Sequence, residues 1–194
     1  NNVHPAVAAA VRRSAEKLAE LGAHVEEVDP GFDNPLEITM KLWFIGSATL
    51  YGGMTAAQQA LVDPALAAQA AAGARVTVPE LQALTKRRGE LGILMRKFHE
   101  RYDLLVTPGV SVPAFKARAS NEWDTPIEQF LDWTPFSYPF NLSQQPAASI
   151  PCGLTADGLP IGLQLVGPMF GDAVVLRACR AYESVRPIAR PSLA

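Results

Sequence analysis

Apolar residues recur at near-helical intervals at the start of the chain and form one stripe. The members of this stripe are Val7, Val11, Leu18 and Leu21. Pro5 suits the first turn of a helix, and Gly22 suits the left-handed residue that ends one. The pattern therefore predicts a helix that begins at Pro5 and ends before Gly22. A short strand from His24 to Val28 is predicted next, and residues 29–31 form a turn signal that ends it.

The middle of the chain is predicted to be helical until a second strand begins. Residues 35–73 are rich in alanine and large apolar side chains, and this predicts two helices. The Ala-rich part from Pro64 to Ala72 has few large side chains. Its packing is therefore expected either to be thin, with few contacts, or to be close, with the helix backbones near each other. An apolar stripe between Pro79 and Arg101 predicts the longest helix. The apolar run from Asp103 to Thr107 then predicts a buried strand.

A long irregular segment and a β-hairpin follow. Pro108-Gly109 ends the second strand, and residues 110–145 contain several prolines and no regular period, which is typical of a loop that is functional or wraps a site. Ala147 to Leu154 and Leu159 to Val166 are strand-like, and the Asp157-Gly158 pair between them predicts a hairpin turn. Asp172 is placed to cap a final helix.

These elements predict an α/β fold in which helices flank a mixed β-sheet, with residues 1–194 as a single domain. The composition agrees with a soluble globular protein, because 48% of the residues are hydrophobic and 19% are charged. The formal net charge of −2 gives no electrostatic surface for nucleic acid. The densest basic run, Lys86-Arg87-Arg88, is interpreted as a solvated helix face.

No apolar run is long enough to span a membrane, so no membrane association is expected. The two cysteines, Cys152 and Cys179, are far apart in the sequence and have neither disulfide-framework nor zinc-site spacing. A cytoplasmic protein without a metal or a cofactor is the expectation that follows.

Three stretches of the sequence resemble the C-terminal part of amidase-signature enzymes. The most specific runs from Thr134 to Pro168, TPFSYPFNLSQQPAASIPCGLTADGLPIGLQLVGP. It contains a Pro-x-Asn-Leu-x-x-x-Pro-Ala block, a Pro-x-Gly strand end and a Gly-Leu-Pro-x-Gly-x-Gln hairpin. The stretches HPAVAAAVRRSAEKLAELGAHVEEVDP and DLLVTPGVSVPAF agree with the family in order and spacing. The resemblance implies that this chain is the C-terminal portion of an amidase fold.

The resemblance implies a catalytic mechanism whose reacting residues are absent from this sequence. Amidase-signature enzymes hydrolyse carboxamides with a nucleophilic Ser, a second Ser in a cis peptide and a buried Lys, all in the N-terminal half of the fold. The sequence has no matching Gly-Ser-rich stretch, and its Gly-Gly pair is followed by Met54 and Thr55. None of its lysines has the apolar, strand-like context that would lower its pKa. We therefore expect no catalytic residue here, and the N-terminal half of the same amidase as a partner.

No other residues predict a catalytic or metal centre. His4, His24 and His99 are interpreted as surface residues or as hydrogen-bonded core residues. Cys152 lies between a proline and a glycine at a predicted strand end, but it has no placed His partner, so a small buried residue is the favoured interpretation. No cluster of Asp, Glu, His or Cys has metal-ligand spacing.

The resemblance further implies that two loops approach the catalytic centre of the complete enzyme and help to set acyl specificity. The substrate-binding residues that it implies are Thr107, Pro108, Trp133, Thr134, Pro135, Phe136 and Asn141. Their aromatic and proline side chains would form an apolar, semi-rigid pocket, and Trp133 and Phe136 are the best placed to touch substrate. The alternatives are that the aromatic residues form a core and that Asn141 hydrogen-bonds the loop around it.

One departure from the family pattern narrows the range of substrates that we expect. Glutamine-dependent tRNA amidotransferase subunits resemble this motif but have an Asp just before the Pro-x-Asn-Leu element, where this chain has Trp133-Thr134-Pro135. A glutamine ammonium group would lose its carboxylate partner unless Asp132 replaces it. A hydrolase of small-molecule carboxamides is therefore favoured. A non-catalytic binding or assembly module derived from an amidase is the alternative, and a homo-oligomer is compatible with both.

Overall fold

The computed structural model describes residues 3–115 and 131–186, in which ten helices and strands are present. In chain order they are α1 (Pro5–Glu20), α2 (Leu36–Gly52), α3 (Ala56–Gln59), α4 (Pro64–Gly73), α5 (Val78–Phe98), β1 (Leu105–Pro108), α6 (Tyr138–Ser143), β2 (Ala147–Leu154), β3 (Pro160–Val166) and α7 (Asp172–Val185). None of the described helices is long and apolar enough to cross a membrane.

β3 is the middle strand of a three-stranded antiparallel sheet with the order β1-β3-β2. β2 and β3 form the predicted hairpin, and Gly158 in its turn has a φ of +79°, which glycine adopts without strain. Pro160 is the first residue of β3, where the missing N–H is tolerated. The predicted α/β class, with helices that flank a sheet, is confirmed. The strands in the described residues pair only in the antiparallel sense.

The first core lies between one face of the sheet and the helices α1 and α7. Its fully buried members include Val7 of α1, Leu163 and Leu165 of β3, and Tyr182 of α7. Burial of such side chains supplies most of the favourable free energy of folding. A buried hydrogen bond of 2.8 Å also joins Tyr182 Oη to Ser14 Oγ, so α1 and α7 are fixed to each other as well as to the sheet.

The second core covers the opposite face of the sheet with α2, α5 and α6. Its buried residues are Ile38, Leu84, Leu91, Met95, Leu105, Phe140, Leu142 and Val166. Because strand side chains alternate between faces, Val166 belongs to this core while its neighbour Leu165 belongs to the first. β3 is therefore buried on both faces.

Several element predictions hold, and two are wrong. Gly22 has the left-handed φ of +96° that ends α1. The strand predicted from His24 to Val28 does not form: these residues have no regular structure and are mostly exposed, and they lack the ladder partner that a strand requires. Asp172 is not the N-cap of α7, because Gly171 holds that position and Asp172 is the first helical residue. Its negative charge there is favourable to the helix dipole.

The other element boundaries shift by a few residues or gain detail. Residues 35–73 contain the one-turn helix α3 in addition to the two predicted helices. In the predicted irregular segment, residues 116–130 lie outside the described part of the chain, and α6 occupies a part that was predicted to be loop. Pro139 in the first turn of α6 is compatible with a helix start.

α4 packs against α2 at very short range. Of the two kinds of packing expected for the Ala-rich stretch, the close one is therefore observed. Gly73 is buried at the end of α4, and a Cβ atom placed there would overlap the carbonyl group of Phe44 and lie 2.7 Å from the backbone nitrogen of Ile45. Those neighbours are backbone atoms of a helix, so they cannot move aside as a flexible side chain would. Only glycine fits this contact.

The imidazole of His99 is bonded on one side only. Nδ1 lies 2.9 Å from the carbonyl oxygen of Tyr102 and must donate to it, because a carbonyl oxygen only accepts. Nε2 is buried and has no hydrogen-bond partner in the described residues. The interpretation of His99 as a fully hydrogen-bonded core residue is therefore wrong for this atom. Burial holds the pKa of His99 below its ordinary value of 6.5, because the charged imidazole would lose hydration there.

We expect Gly73→Ala to destabilise the fold by about 2 kcal/mol or more, because the added methyl group meets the α2 backbone. Gly89→Ala is the control: Gly89 lies in α5, the methyl group added there would have nothing within 4 Å, and alanine should stabilise that helix by about 1 kcal/mol. Urea denaturation followed by circular dichroism measures both. Equal effects of the two substitutions would contradict the close packing of α2 and α4.

We also expect the free energy of unfolding to decrease as the pH is lowered, because His99 of the unfolded chain then takes up a proton. Well above the ordinary pKa of 6.5, His99 is neutral in the folded and in the unfolded chain, so its protonation does not reduce the free energy of unfolding. Below this pKa, the unfolded chain is protonated first, because the folded pKa is lower, so the fold loses stability.

The test compares urea unfolding at about pH 7.5 and about pH 5.5. His99→Gln should reduce the loss of stability seen in the unchanged chain, whereas His24→Gln, at an exposed position, should leave that loss as it is. An equal loss in all three proteins would contradict this account of His99.

Candidate substrate-site wall

The predicted site residues lie where the end of β1 meets residues 131–142, here called the wall segment. The wall segment consists of an irregular stretch followed by most of α6, and it packs into the second core through Phe140 and Leu142. Thr107 and Pro108 are the last two residues of β1. The other predicted residues belong to the wall segment itself, so the fold brings the two predicted loops together.

Gln164 of β3 joins the two loops through one amide group. It is only 8% exposed, and its Nε2 lies 2.9 Å from Thr107 Oγ1 and 2.7 Å from the carbonyl oxygen of Phe136. The nitrogen of the amide must face Phe136, because two oxygens could not share a hydrogen bond there. Thr107 and Ser149 are the residues opposite Gln164 on the two neighbouring strands. A polar row thus crosses all three strands beside the second core.

Further hydrogen bonds fix the wall segment to the residues that follow β1. The carbonyl oxygen of Trp133 accepts from the backbone nitrogen of Ser111 at 3.2 Å and from its Oγ at 3.1 Å. Ser137 Oγ donates to the carbonyl oxygen of Gly109 at 3.2 Å. The segment is therefore held through the carbonyl groups of Trp133 and Phe136 and through the side chain of Ser137.

The aromatic ring of Trp133 lies at the surface rather than in a core. It is 43% exposed and packs edge-to-face on Phe115, with ring centroids 5.9 Å apart. Phe136 is half-buried. The side chain of Trp133 is therefore accessible at the surface. Phe136 contributes through its carbonyl oxygen, which accepts the hydrogen bond from Gln164.

A cavity of about 390 Å³ lies between the wall segment, α2 and α5. Its lining residues are Thr39, Leu42, Trp43, Arg88, Leu131, Thr134, Ser137, Tyr138, Asn141 and Leu142. Thr134 and Asn141 are the predicted site residues among them. Thr134 is almost fully buried, and its hydroxyl donates to the carbonyl oxygen of Leu131 at 2.9 Å. Asn141 is exposed, so its amide is open to a ligand.

One of the hydroxyl groups that line the cavity belongs to a tyrosine. Tyr138 is buried, and its Oη donates to Asn34 Oδ1 at 2.8 Å. Burial is the main cause that raises the pKa of Tyr138, so the phenol is neutral at physiological pH. It contributes a hydrogen-bonding group to the cavity and no charge.

Arg88 is the cationic side chain among the described residues that line this cavity, and it corrects the interpretation of the basic run as a solvated face. Lys86 is exposed beside Glu90, and Arg87 pairs with Glu37 at 2.8 Å on the surface. Arg88 is half-buried and turns inward, where its Nε donates to the carbonyl oxygen of Leu142 at 2.9 Å. No carboxylate of residues 3–115 or 131–186 lies within 4.0 Å of its guanidinium.

The structure therefore sorts the predicted site residues into two groups. Thr107, Pro108, Trp133 and Phe136 belong to the junction with β1, and Thr134 and Asn141 line the cavity. Pro135, between Thr134 and Phe136, is half-buried and belongs to neither group. Gln164 and Arg88 were not predicted as site residues. Arg88 lies four residues after Leu84 and three before Leu91, so helical spacing alone places it on the buried face of α5. That signal was available in the sequence.

The two cysteines are free, and both are buried. Burial raises the pKa of the Cys152 thiol and of the Cys179 thiol, which disfavours the reactive thiolate. The structure thus supports the interpretation of Cys152 as a small core residue. Within the described ranges, no three His, Cys, Asp or Glu side chains are grouped so that they could hold a metal ion.

A family comparison identifies the class of protein that this fold and wall belong to. The amidase family model matches residues 1–176. That match covers nearly the whole chain, so the chain belongs to the amidase family. The resemblance found in the sequence motifs is confirmed.

Individual relatives agree with this assignment. An acylamidase of Rhodococcus erythropolis is 34% identical over 192 residues, which cover 96% of this chain and 40% of the acylamidase. The A subunit of the glutamyl-tRNA(Gln) amidotransferase of Thermodesulfovibrio yellowstonii is 40% identical over 91 residues, or 47% of this chain and 18% of that relative. The solved structure of 6-aminohexanoate cyclic dimer hydrolase complexed with substrate superposes with a TM-score of 0.82 and 25% identity, and covers 98% of this chain and 44% of that one. The chain spans less than half the length of each of these relatives.

We expect both cysteines to resist thiol reagents in the folded chain, because burial hides the sulfur atoms and opposes ionisation. Titration with a chromogenic disulfide reagent at neutral pH should show almost no reaction until urea unfolds the protein. Both thiols should then react. Fast reaction of Cys152 before unfolding would contradict its interpretation as a core residue.

Proposed function

We propose that this chain forms one wall of the substrate site in a hydrolase that cleaves the C–N bond of carboxamides. In this proposal the nucleophilic Ser, the second Ser and the Lys come from the N-terminal half of the same enzyme, and this chain supplies substrate contacts. The observation that carries the proposal is the cavity beside the wall segment. It lies in a chain of the amidase family, and Thr134 and Asn141, which the motif had marked, line it.

The chemistry of the cavity suits an amide that has an apolar part and a second polar group. Leu42, Leu131 and Leu142 provide apolar surface, and the amide of Asn141 can both donate and accept a hydrogen bond. Arg88 offers the N–H groups that it does not use on Leu142. A guanidinium in a half-buried site is strongly attracted to a carboxylate or a carbonyl oxygen, because water screens it less there.

Two features favour a general carboxamide hydrolase over a glutamine-dependent amidotransferase component. Asp132 is the carboxylate next to the motif, and its side chain is exposed and does not line the cavity. A glutamine ammonium group in the cavity would therefore lack a carboxylate from the wall segment. The acylamidase match also extends over 96% of the chain, whereas the amidotransferase match covers 47%.

The alternative, a non-catalytic binding or assembly module, is less well supported. Similarity to an acylamidase over nearly the whole chain favours a part of a working enzyme. Large apolar side chains such as Leu50, Leu61 and Phe170 are also exposed in the described structure. A module that acts alone would more commonly present polar side chains at such positions.

We expect Arg88→Met to lower kcat/KM of the complete amidase for an amide that carries a carboxylate by about 10- to 100-fold, because one charge-assisted hydrogen bond is lost. The neutral counterpart of the same amide should be affected much less. Methionine keeps most of the apolar length of arginine, so the cavity wall stays filled. Initial rates with the two amides measure the effect.

Arg87→Met is the matched control, since Arg87 is adjacent in the sequence but pairs with Glu37 at the surface. It should leave both kcat/KM values nearly unchanged. Equal effects of Arg88→Met on the charged and the neutral amide would contradict the role of Arg88 as the cation of the site. Failure of the complete protein to hydrolyse any carboxamide would contradict the proposed function itself.

A further inference from the structure

The side chain of Gln164 on β3 forms a hydrogen bond with the wall segment, and β3 is paired with another strand along each of its two edges. β3 pairs with β1 along one edge and with β2 along the other, so the backbone at Gln164 is held by ladders on both sides. Ser111 and Gly109, which follow β1 and belong to no strand, hold Trp133 and Ser137, and Arg88 of α5 holds Leu142 at the far end of the segment. Gln164 is therefore the side chain that connects the middle of the wall segment, at Phe136, to the strand that is held on both edges.

The geometry of this tie leaves little freedom. One NH₂ group has two protons, and here each has an acceptor, Thr107 Oγ1 on β1 and the carbonyl oxygen of Phe136 in the wall segment. Because Gln164 is nearly buried, replacement by a side chain without a donor would leave the Phe136 carbonyl without this partner. Movement of the segment away from β1, which would let water reach the Phe136 carbonyl group, would then be favoured.

Movement at Phe136 would reach the cavity directly. Thr134 and Ser137, on either side of Phe136, both line the cavity. A displacement of the backbone between them changes the position of that lining. Small errors in the position of groups that bind a substrate have large effects on enzyme rates.

We infer that Gln164 is a positioning residue: it sets the place of the wall segment by bridging Thr107 and Phe136, and through it the shape of the substrate cavity. It does not line the cavity in the described structure. The link to substrate rests on the proposed function, whereas the link to the position of the segment does not.

The test uses Gln164→Met in the complete protein, because methionine has nearly the length and shape of glutamine and no donor. Gln145→Met is the matched control. Gln145 is half-buried, its Nε2 donates to the carbonyl oxygen of Gly167 at 3.1 Å and its Oε1 accepts from Ser143, but it forms no hydrogen bond with β1 or with a carbonyl group of the wall segment. Both substitutions remove one amide that donates to a backbone carbonyl group, so a general loss of stability is expected in both.

The first measurement is hydrogen exchange at the backbone amides of Thr134 and Ser137, which donate within the wall segment. Gln164→Met should speed their exchange by about tenfold, while Gln145→Met should leave it unchanged. The second measurement is the kinetics of amide hydrolysis. Gln164→Met should raise KM by about tenfold with little change in kcat, and Gln145→Met should change neither.

Unchanged exchange at Thr134 and Ser137, or equal changes of KM in the two variants, would overturn the inference. If Gln164→Met does not fold, Gln164→Glu replaces it, since glutamate has the same size and in its ionised form cannot donate to Phe136. If the unchanged protein hydrolyses no amide, the proposed function fails, and hydrogen exchange alone decides whether Gln164 positions the segment.

Discussion

The burial of β3 on both faces is the constraint on which the rest of this structure depends. Leu163 and Leu165 face the core with α1 and α7, and Val166 faces the core with α2, α5 and α6. Both helix layers therefore pack on the same strand. The polar side chain of Gln164 in the middle of this strand is acceptable only because its amide is hydrogen-bonded. A buried amide without partners would cost the fold more than an apolar residue.

The same arrangement links the fold to the proposed function. β1 and β3 are neighbours, so the Thr-Pro end of β1 lies next to the side chain that holds Phe136. The wall segment then runs from that junction across the cavity into α6, where Leu142 returns to the second core and accepts from Arg88. A rigid strand thus supports an irregular segment that carries the proposed substrate contacts, which is a common division between scaffold and site.

The sequence pattern was sufficient where local chemistry and periodicity agree. The Asp157-Gly158 turn and the alternation around it predicted the hairpin, and the glycine that ends α1 was also correct. The strand at His24–Val28 failed because a strand depends on a partner that periodicity cannot supply. Helical spacing could have placed Arg88 on the buried face of α5, but its acceptor lies 54 residues away, and the acceptor of Gln164 lies 28 residues away. Spacing does not reveal such long-range partners.

The most direct test of the central claim is a crystal structure of the complete amidase with a bound amide inhibitor. The account predicts that the inhibitor lies in the cavity between α2, α5 and the wall segment, with polar contacts to Asn141 or Arg88. It also predicts that the reactive Ser, from the N-terminal half, reaches the amide carbon from the open side of the cavity. An inhibitor that touches no residue of the wall segment would contradict the assignment of this chain as a wall of the substrate site.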